Sequence, residues 1–168
     1  MIRRSLLISA AAALMLAACG QGDEAKGGAN APLRIGVTPV PHAEILEAIR
    51  PTLAAEGVPI DVVVFNDYVQ PNVQLSEKRL DANYFQTKPY LDEFNLARGT
   101  DLVTVAGVHV EPLGLYSRKH ANLAAVPARG LVILPNDASN TGRSLLLLQS
   151  AGLVRLRDAT NPLQTVRD

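Results

Sequence analysis

Residues Leu33–Phe65 read LRIGVTPVPHAEILEAIRPTLAAEGVPIDVVVF, and this stretch decides the fold. Leu33-Arg34-Ile35-Gly36-Val37 alternates and then stops at Thr38-Pro39-Val40-Pro41, which is a strand followed by a turn. From His42 to Glu56, Ile45, Leu46, Ile49 and Leu53 fall on one face of an amphipathic helix closed by Gly57. Pro51 lies inside it and predicts a kink or a loosened turn. Ile60-Asp61-Val62-Val63-Val64-Phe65 is then a near-continuous apolar strand. Strand, helix and buried strand at this spacing make a βαβ unit with parallel strands.

The rest of the chain extends the pattern. Pro71 opens a short helix over Asn72–Ser76, and Leu80–Phe85 reads as a strand. Pro89–Ala97 is a helix ending at Gly99, and Leu102–Ala106 and Val108–Tyr116 read as strands. Leu131–Leu134 is a short buried strand, followed by a helix over Thr141–Ala151 that Gly152 stops. Alternating strands and helices predict an α/β domain with a mostly parallel sheet. Pro112 and Gly114 within Glu111–Tyr116 place an edge or a bend between two sheets there. Beyond Tyr116 one strand and one helix are too little to close a second lobe. The expected layout is a first lobe over residues 32–115 and a partial second lobe over 116–168.

Ahead of this domain, Arg3 and Arg4 precede a short Leu- and Ala-rich run that ends Leu16-Ala17-Ala18-Cys19. Basic residues, a short apolar core and small residues before the cut make residues 1–18 a secretory signal peptide. Spanning a bilayer takes about 20 apolar residues, which this run lacks. The Leu-Ala-Ala-Cys ending resembles a bacterial lipobox, in which the thiol of Cys19 takes a diacylglyceryl group and becomes the mature N-terminus. Residues 19–31 are dominated by small and polar types and read as a flexible tether. Cys19 is the sole cysteine, so the mature domain has no intramolecular disulfide and no thiol nucleophile. The chain is expected to be exported and lipid-anchored to the cell envelope, with the membrane leaflet left open.

Basic and acidic residues balance at 16 each, with no run of either sign. A nucleic-acid surface would need a clustered basic footprint, so none is expected. Enzyme signatures are missing: there is no Gly-x-Ser-x-Gly elbow, no Gly-x-Gly-x-x-Gly fingerprint and no Walker loop. Asp92-Glu93 reads as a pair of solubility charges on a solvated helix face. The chain is read as a non-enzyme without a cofactor.

The sharpest local feature is Leu134–Arg143, between a buried strand and a helix. Ligands in open α/β sheets bind beyond the carboxyl ends of strands, where such loops sit. Asn140 reads as the N-cap, which puts Arg143 in the first turn, where a cation opposes the helix dipole at a cost of roughly 0.3–1 kcal/mol when exposed. A bound anion held by the Arg143 fork would offset that; a salt bridge to Asp137 or simple solvation are the other outcomes. His42, near a helix start, reads most simply as a surface or capping histidine. His109 and Glu111 share one face of a strand; that spacing permits a metal pair, yet a closed site needs more ligands, and no metal is expected. Tyr84 and Phe85 must point to opposite faces, one of them into the core. Tyr68, Tyr84, Phe85 and Tyr90 together carry much of the small aromatic content and would serve to wall an apolar pocket.

Several segments in register resemble the methionine-binding lipoproteins of bacterial ABC importers, the NlpA/MetQ type. They are Ile35-Gly36-Val37-Thr38 with Pro41–Leu46, Phe65–Asn72, Leu80–Gln86, Pro89-Tyr90-Leu91, His109–Ser117, and Pro135-Asn136-Asp137 with Asn140–Gln149. The resemblance covers nearly all of Leu33 to Asp158. It implies a periplasmic-binding-protein-like (type 2) two-lobe fold, with methionine clamped between lobes and handed to a permease with its ATPase. It lends Arg143 the role of carboxylate anchor, with Asn140 at the polar end. It makes Tyr68, Tyr84, Phe85 and Tyr90 the thioether pocket, with His109 nearby. Met sulfur suits such a wall because it packs well against aromatic edges. Two departures stand out: Val40 replaces a residue that is commonly small, and Thr87 one that is often histidine. The family continues well past the position matching Asp168, so the second lobe is expected to be incomplete. Other small amino acids or a methionine-containing dipeptide remain open as ligands, as does an envelope lipoprotein without a transport role.

Overall fold

The computed structural model describes residues 31–167. The expected signal peptide, Cys19 and all but the last residue of the tether lie outside the described residues. Three strands form one parallel sheet: β1 (Leu33–Val37), β2 (Ile60–Val64) and β3 (Ala82–Tyr84), in the order β2-β1-β3. Leu33 pairs with Ile60 and Val37 with Val64 on one side of β1, while Ile35 pairs with Ala82 and Val37 with Tyr84 on the other. Among the described residues, four α-helices accompany the sheet: α1 (Glu44–Ala55), α2 (Gln70–Ser76), α3 (Lys88–Arg98) and α4 (Ala138–Ser150). The βαβ unit read from Leu33–Phe65 is therefore present as β1-α1-β2. Its crossover begins with a π-type turn over Pro39–Ala43, where the Ala43 N–H reaches back to the Thr38 carbonyl at 3.0 Å. α1 continues through Pro51 to Ala55.

Val37, Leu46 and Ile60 form the sheet's buried centre, with Ile35, Ala43, Leu53, Val62 and Tyr84 packed around them. Each such fully buried aliphatic contributes about 1.5–3 kcal/mol. Gly36 on the central strand has no room for a side chain: a Cβ there would meet Leu80 Cδ1 at 2.6 Å and Phe65 Cε2 at 3.2 Å. α3 packs against α4, and Leu91 and Phe94 on the first and Leu145 and Leu148 on the second are buried. α3 ends at Gly99, whose φ of 65° is left-handed, a conformation glycine takes without steric cost.

The strands expected after Gly99 do not form. Among the described residues, 102–106, 108–116 and 131–134 belong to no ladder. Val105 is 95% exposed and Leu131 94%. Apolar alternation specifies which face a strand would bury but not where its partner comes from, and these backbones have no neighbouring strand among the described residues. The strand read over Leu80–Phe85 shortens to Ala82–Tyr84. No helix among the described residues is long and apolar enough to cross a membrane.

α2 is locked to β3 by a buried amide network. Asn72, fully buried, donates to Gln86 Oε1 at 2.8 Å, and its own carbonyl oxygen accepts from Gln86 Nε2 at 2.8 Å and Asn83 Nδ2 at 2.7 Å. Removing one member leaves the others unpaired, at about 1–3 kcal/mol each. Asn72→Ala is therefore expected to lower the urea unfolding free energy by about 1–3 kcal/mol, whereas Asn66→Ala in the exposed β2–α2 loop, used as a reference, should stay near wild type.

Candidate functional site

In a parallel sheet every strand delivers its carboxyl end to the same edge, and the chemistry-bearing side chains gather there. β1 leads into Thr38 and His42, β2 into Tyr68, and β3 ends at Tyr84 and Phe85. Strand neighbours face opposite ways, so these last two residues enter different clusters. Phe85 meets Tyr68 at 5.8 Å and Tyr90 at 6.0 Å between ring centroids, and Tyr68 meets Tyr90 at 6.1 Å. These separations lie within the range where offset and edge contacts are favourable. Phe85 and Tyr90 are buried and Tyr68 is half exposed, so the cluster has one open wall. The Tyr90 hydroxyl donates to the Tyr68 carbonyl at 2.8 Å. Burial first, then the carboxylates of Asp137, Asp67 and Glu93, push the Tyr90 hydroxyl up to about 12.

Tyr84 joins a polar cluster instead. Its hydroxyl pairs with His109 Nδ1 at 2.6 Å, and His109 Nε2 lies 2.9 Å from Glu111 Oε1. His42 Nε2 approaches the same carboxylate oxygen at 3.5 Å, and its Nδ1 pairs with Thr38 Oγ1 at 2.7 Å. The surface or capping role expected for His42 is corrected: it is 5% exposed and packs edge-on to Tyr84. The π-type turn carries it inward over the end of β1, which local sequence does not reveal. Burial holds the His42 imidazolium below its ordinary range, with Glu111 opposing that and His109 adding to it. Burial, then Glu111, raises the Tyr84 hydroxyl.

The third group sits on the first two turns of α4. The N-cap is Asp137, not Asn140: its carboxylate accepts from the Asn140 backbone N–H at 2.8 Å. The helix starts three residues earlier than periodicity indicated, because Ala138 and Ser139 already occupy its first turn. Glu93 is more than a solubility charge, since it accepts from the Ser139 backbone N–H at 3.2 Å and so ties α3 to α4. Arg143 donates to Asn140 Oδ1 at 2.9 Å and to the Glu111 carbonyl at 3.2 Å. Among the described residues no carboxylate forms an ion pair with it, so the Asp137 salt bridge is not the arrangement adopted. A guanidinium carries five N–H donors, and these two contacts leave part of the half-buried fork open to a further acceptor.

Thr87 was missed as a positioning residue. It caps α3 and accepts from the Tyr90 N–H at 3.4 Å, so it helps set the start of the helix that bears Tyr90. A threonine two residues before Pro89 at a helix opening is the signal for it. Val40 is 69% exposed, so its bulk is not packed into the turn.

A sequence profile described as NlpA lipoprotein matches residues 33–168. The chain belongs to the NlpA lipoprotein family. Outer membrane lipoprotein 2 of Mannheimia haemolytica is 38% identical over 173 residues, covering 99% of this chain and 63% of that protein. The D-methionine-binding lipoprotein MetQ of Escherichia coli is 39% identical over 156 residues, covering 92% of this chain and 56% of MetQ. A solved nutrient-binding protein from Burkholderia cenocepacia, bound to methionine, matches with a TM-score of 0.77 at 37% identity. That match covers 81% of this chain and 58% of the other. The chain thus spans between 56 and 63% of the length of these relatives, and over that span it has the α/β, parallel-sheet architecture of NlpA-type binding proteins.

Because Tyr90 ionises near 12 when folded and near 10.0 when not, the hydroxyl contributes stability below pH 10 that is lost as pH rises toward about 12. Urea midpoints followed across that window should fall for the parent chain and fall less steeply for Tyr90→Phe.

Proposed function

We propose that this chain binds methionine, or a close analogue of it, as the solute-binding lipoprotein of an ABC importer. Arg143 carries the reading. It is a partly open guanidinium on the second turn of α4, held by the Asn140 side chain and the Glu111 carbonyl and paired with no carboxylate among the described residues. A ligand carboxylate fits that place, with a bidentate fork in reach and the Asn140 amide beside it. Tyr68, Phe85 and Tyr90 lie on the neighbouring face of the sheet edge and offer the apolar wall that a thioether needs. Tyr84 and His109 lie on the other face of β3, in the polar cluster. The names of the relatives, two of which refer to methionine, point the same way.

In this proposal the protein is exported, anchored to the bilayer through acylated Cys19, and presents its sheet edge to the ligand. The first lobe runs over residues 32–115, and 116–168 contribute part of the second. Ligand bridging of the lobes favours the closed form that a permease and its ATPase receive. The proposed role is binding without chemistry. A methionine-containing dipeptide is the second reading: Thr87, smaller than the histidine common in the family, caps α3 next to the aromatic wall and leaves more room there.

Calorimetric titration of L-methionine, D-methionine and glycyl-methionine into the full chain, purified in detergent and shown folded by circular dichroism, tests the proposal. Saturable heat with one of them is expected, and a folded sample silent to all three would overturn it. Arg143→Ala should weaken the binding by about 1.5–3 kcal/mol, the worth of a charged hydrogen-bond pair. Phe85→Leu, which keeps the core filled, should weaken methionine more than alanine.

A further inference from the structure

We propose that His42, His109 and Glu111 form a binding site for a divalent transition-metal ion, with two imidazole nitrogens and one carboxylate oxygen as ligands. One donor atom from each lies within 4.8 Å of the other two. His42 Nε2 and Glu111 Oε1 are 3.5 Å apart. Ligands about 2.1 Å from a tetrahedral ion stand roughly 3.4 Å from each other, so this pair already has the spacing. His109 Nε2, at 2.9 Å from the same oxygen, needs to withdraw by about half an ångström, and the donor set, which spans up to 4.8 Å, needs to draw together around the ion.

The second sphere supports the same assignment. Metal-binding histidines are oriented by a partner on the ring nitrogen that faces away from the ion. Both rings have one: Thr38 Oγ1 on His42 Nδ1 at 2.7 Å, and the Tyr84 hydroxyl on His109 Nδ1 at 2.6 Å. Each partner is a hydroxyl, able to donate or accept. The rings can therefore place their proton on Nδ1 and keep that hydrogen bond while Nε2 turns to an ion, His109 exchanging its Nε2 contact with Glu111 for the metal. Without a metal, His109 Nε2 simply keeps its contact with Glu111.

The three ligands come from separate places, His42 from the turn after β1 and the other two from residues 109 and 111, with Tyr84 of β3 holding one ring. His42 is buried, while the Glu111 side chain is 43% exposed. One side of the cluster is thus fixed in the core and the other faces solvent, which leaves an entry path and a fourth position open to water. Nitrogen-rich donors of this kind select zinc, cobalt, nickel or copper over calcium and magnesium, which take oxygen ligands. Sequence spacing offered only His109 and Glu111; the third ligand becomes visible once β1 and residues 109–111 are brought together.

The inference does not rest on the methionine proposal, and its test reads the metal alone. The untagged full chain, stripped with chelator, is titrated with Co²⁺ and followed by its visible ligand-field absorption, then back-titrated with Zn²⁺. One equivalent of Co²⁺, displaced by Zn²⁺ and not by Mg²⁺, is expected. Glu111→Gln and His109→Gln alter partly exposed side chains and should each weaken binding at least about ten-fold, since even second-sphere changes cost that much. His120→Gln, outside the cluster, should match the parent, and circular dichroism confirms that each variant is folded. No saturable absorption in the parent, or a titration that neither cluster variant changes, would overturn the proposal.

Discussion

The parallel pairing of β1 between β2 and β3 is the constraint on which everything else depends. Parallel strands require crossovers on the sheet's faces, and these bring α1 and α2 into place. The same pairing sends three strand ends to one edge, so that Thr38 and His42, Tyr68, and Tyr84 and Phe85 converge although they are far apart in the chain. Gly36 lets the central strand sit close under Leu80 and Phe65. The Asn72–Gln86–Asn83 amides hold the short third strand to its helix. Without that register, the aromatic wall and the histidine cluster would not exist as groups.

Two faces of β3 divide the work at that edge. The Phe85 side is apolar, backed by Tyr90 and open at Tyr68, which suits an uncharged, polarizable side chain. The Tyr84 side is polar and closely hydrogen-bonded, reaching down to buried His42. Glu111 connects this second face to α4: its carboxylate lies between the two imidazoles, while its backbone carbonyl accepts from Arg143. A change in how Glu111 is held would therefore be felt at the guanidinium. A metal ion on the histidine side and a carboxylate ligand on the arginine side would act on one short stretch of backbone, giving a physical route for one to influence the other.

The start of α4 is satisfied from two elements of the chain. Its first turn receives a capping carboxylate from Asp137 and a second from Glu93, both favourable to the dipole. Arg143 follows in the second turn, six residues past the cap, where the dipole acts on it only weakly.

By itself, the sequence determined what is local or periodic. Residues Leu33–Phe65 specify strand, helix and strand through spacing of apolar positions, and the helices over residues 88–98 and 138–150 were legible within a few residues from prolines, glycines and periodicity. Arg143 stands out in the sequence as a first-turn cation when Asn140 is read as the cap, whereas the start at Ala138 puts it in the second turn. The tertiary structure decided what depends on meeting a distant partner. Residues 102–116 and 131–134 alternate as strands do, yet a strand exists only when a neighbour accepts its hydrogen bonds, and no pattern within the segment supplies one. His42 reads as a surface residue until a turn folds it beneath Tyr84 and beside Glu111. Asp137 displaces Asn140 as the cap because helix ends are set by hydrogen bonds that several adjacent polar residues can make equally well. Periodicity encodes the face a residue turns inward; the identity of what it meets there is a property of the packed chain.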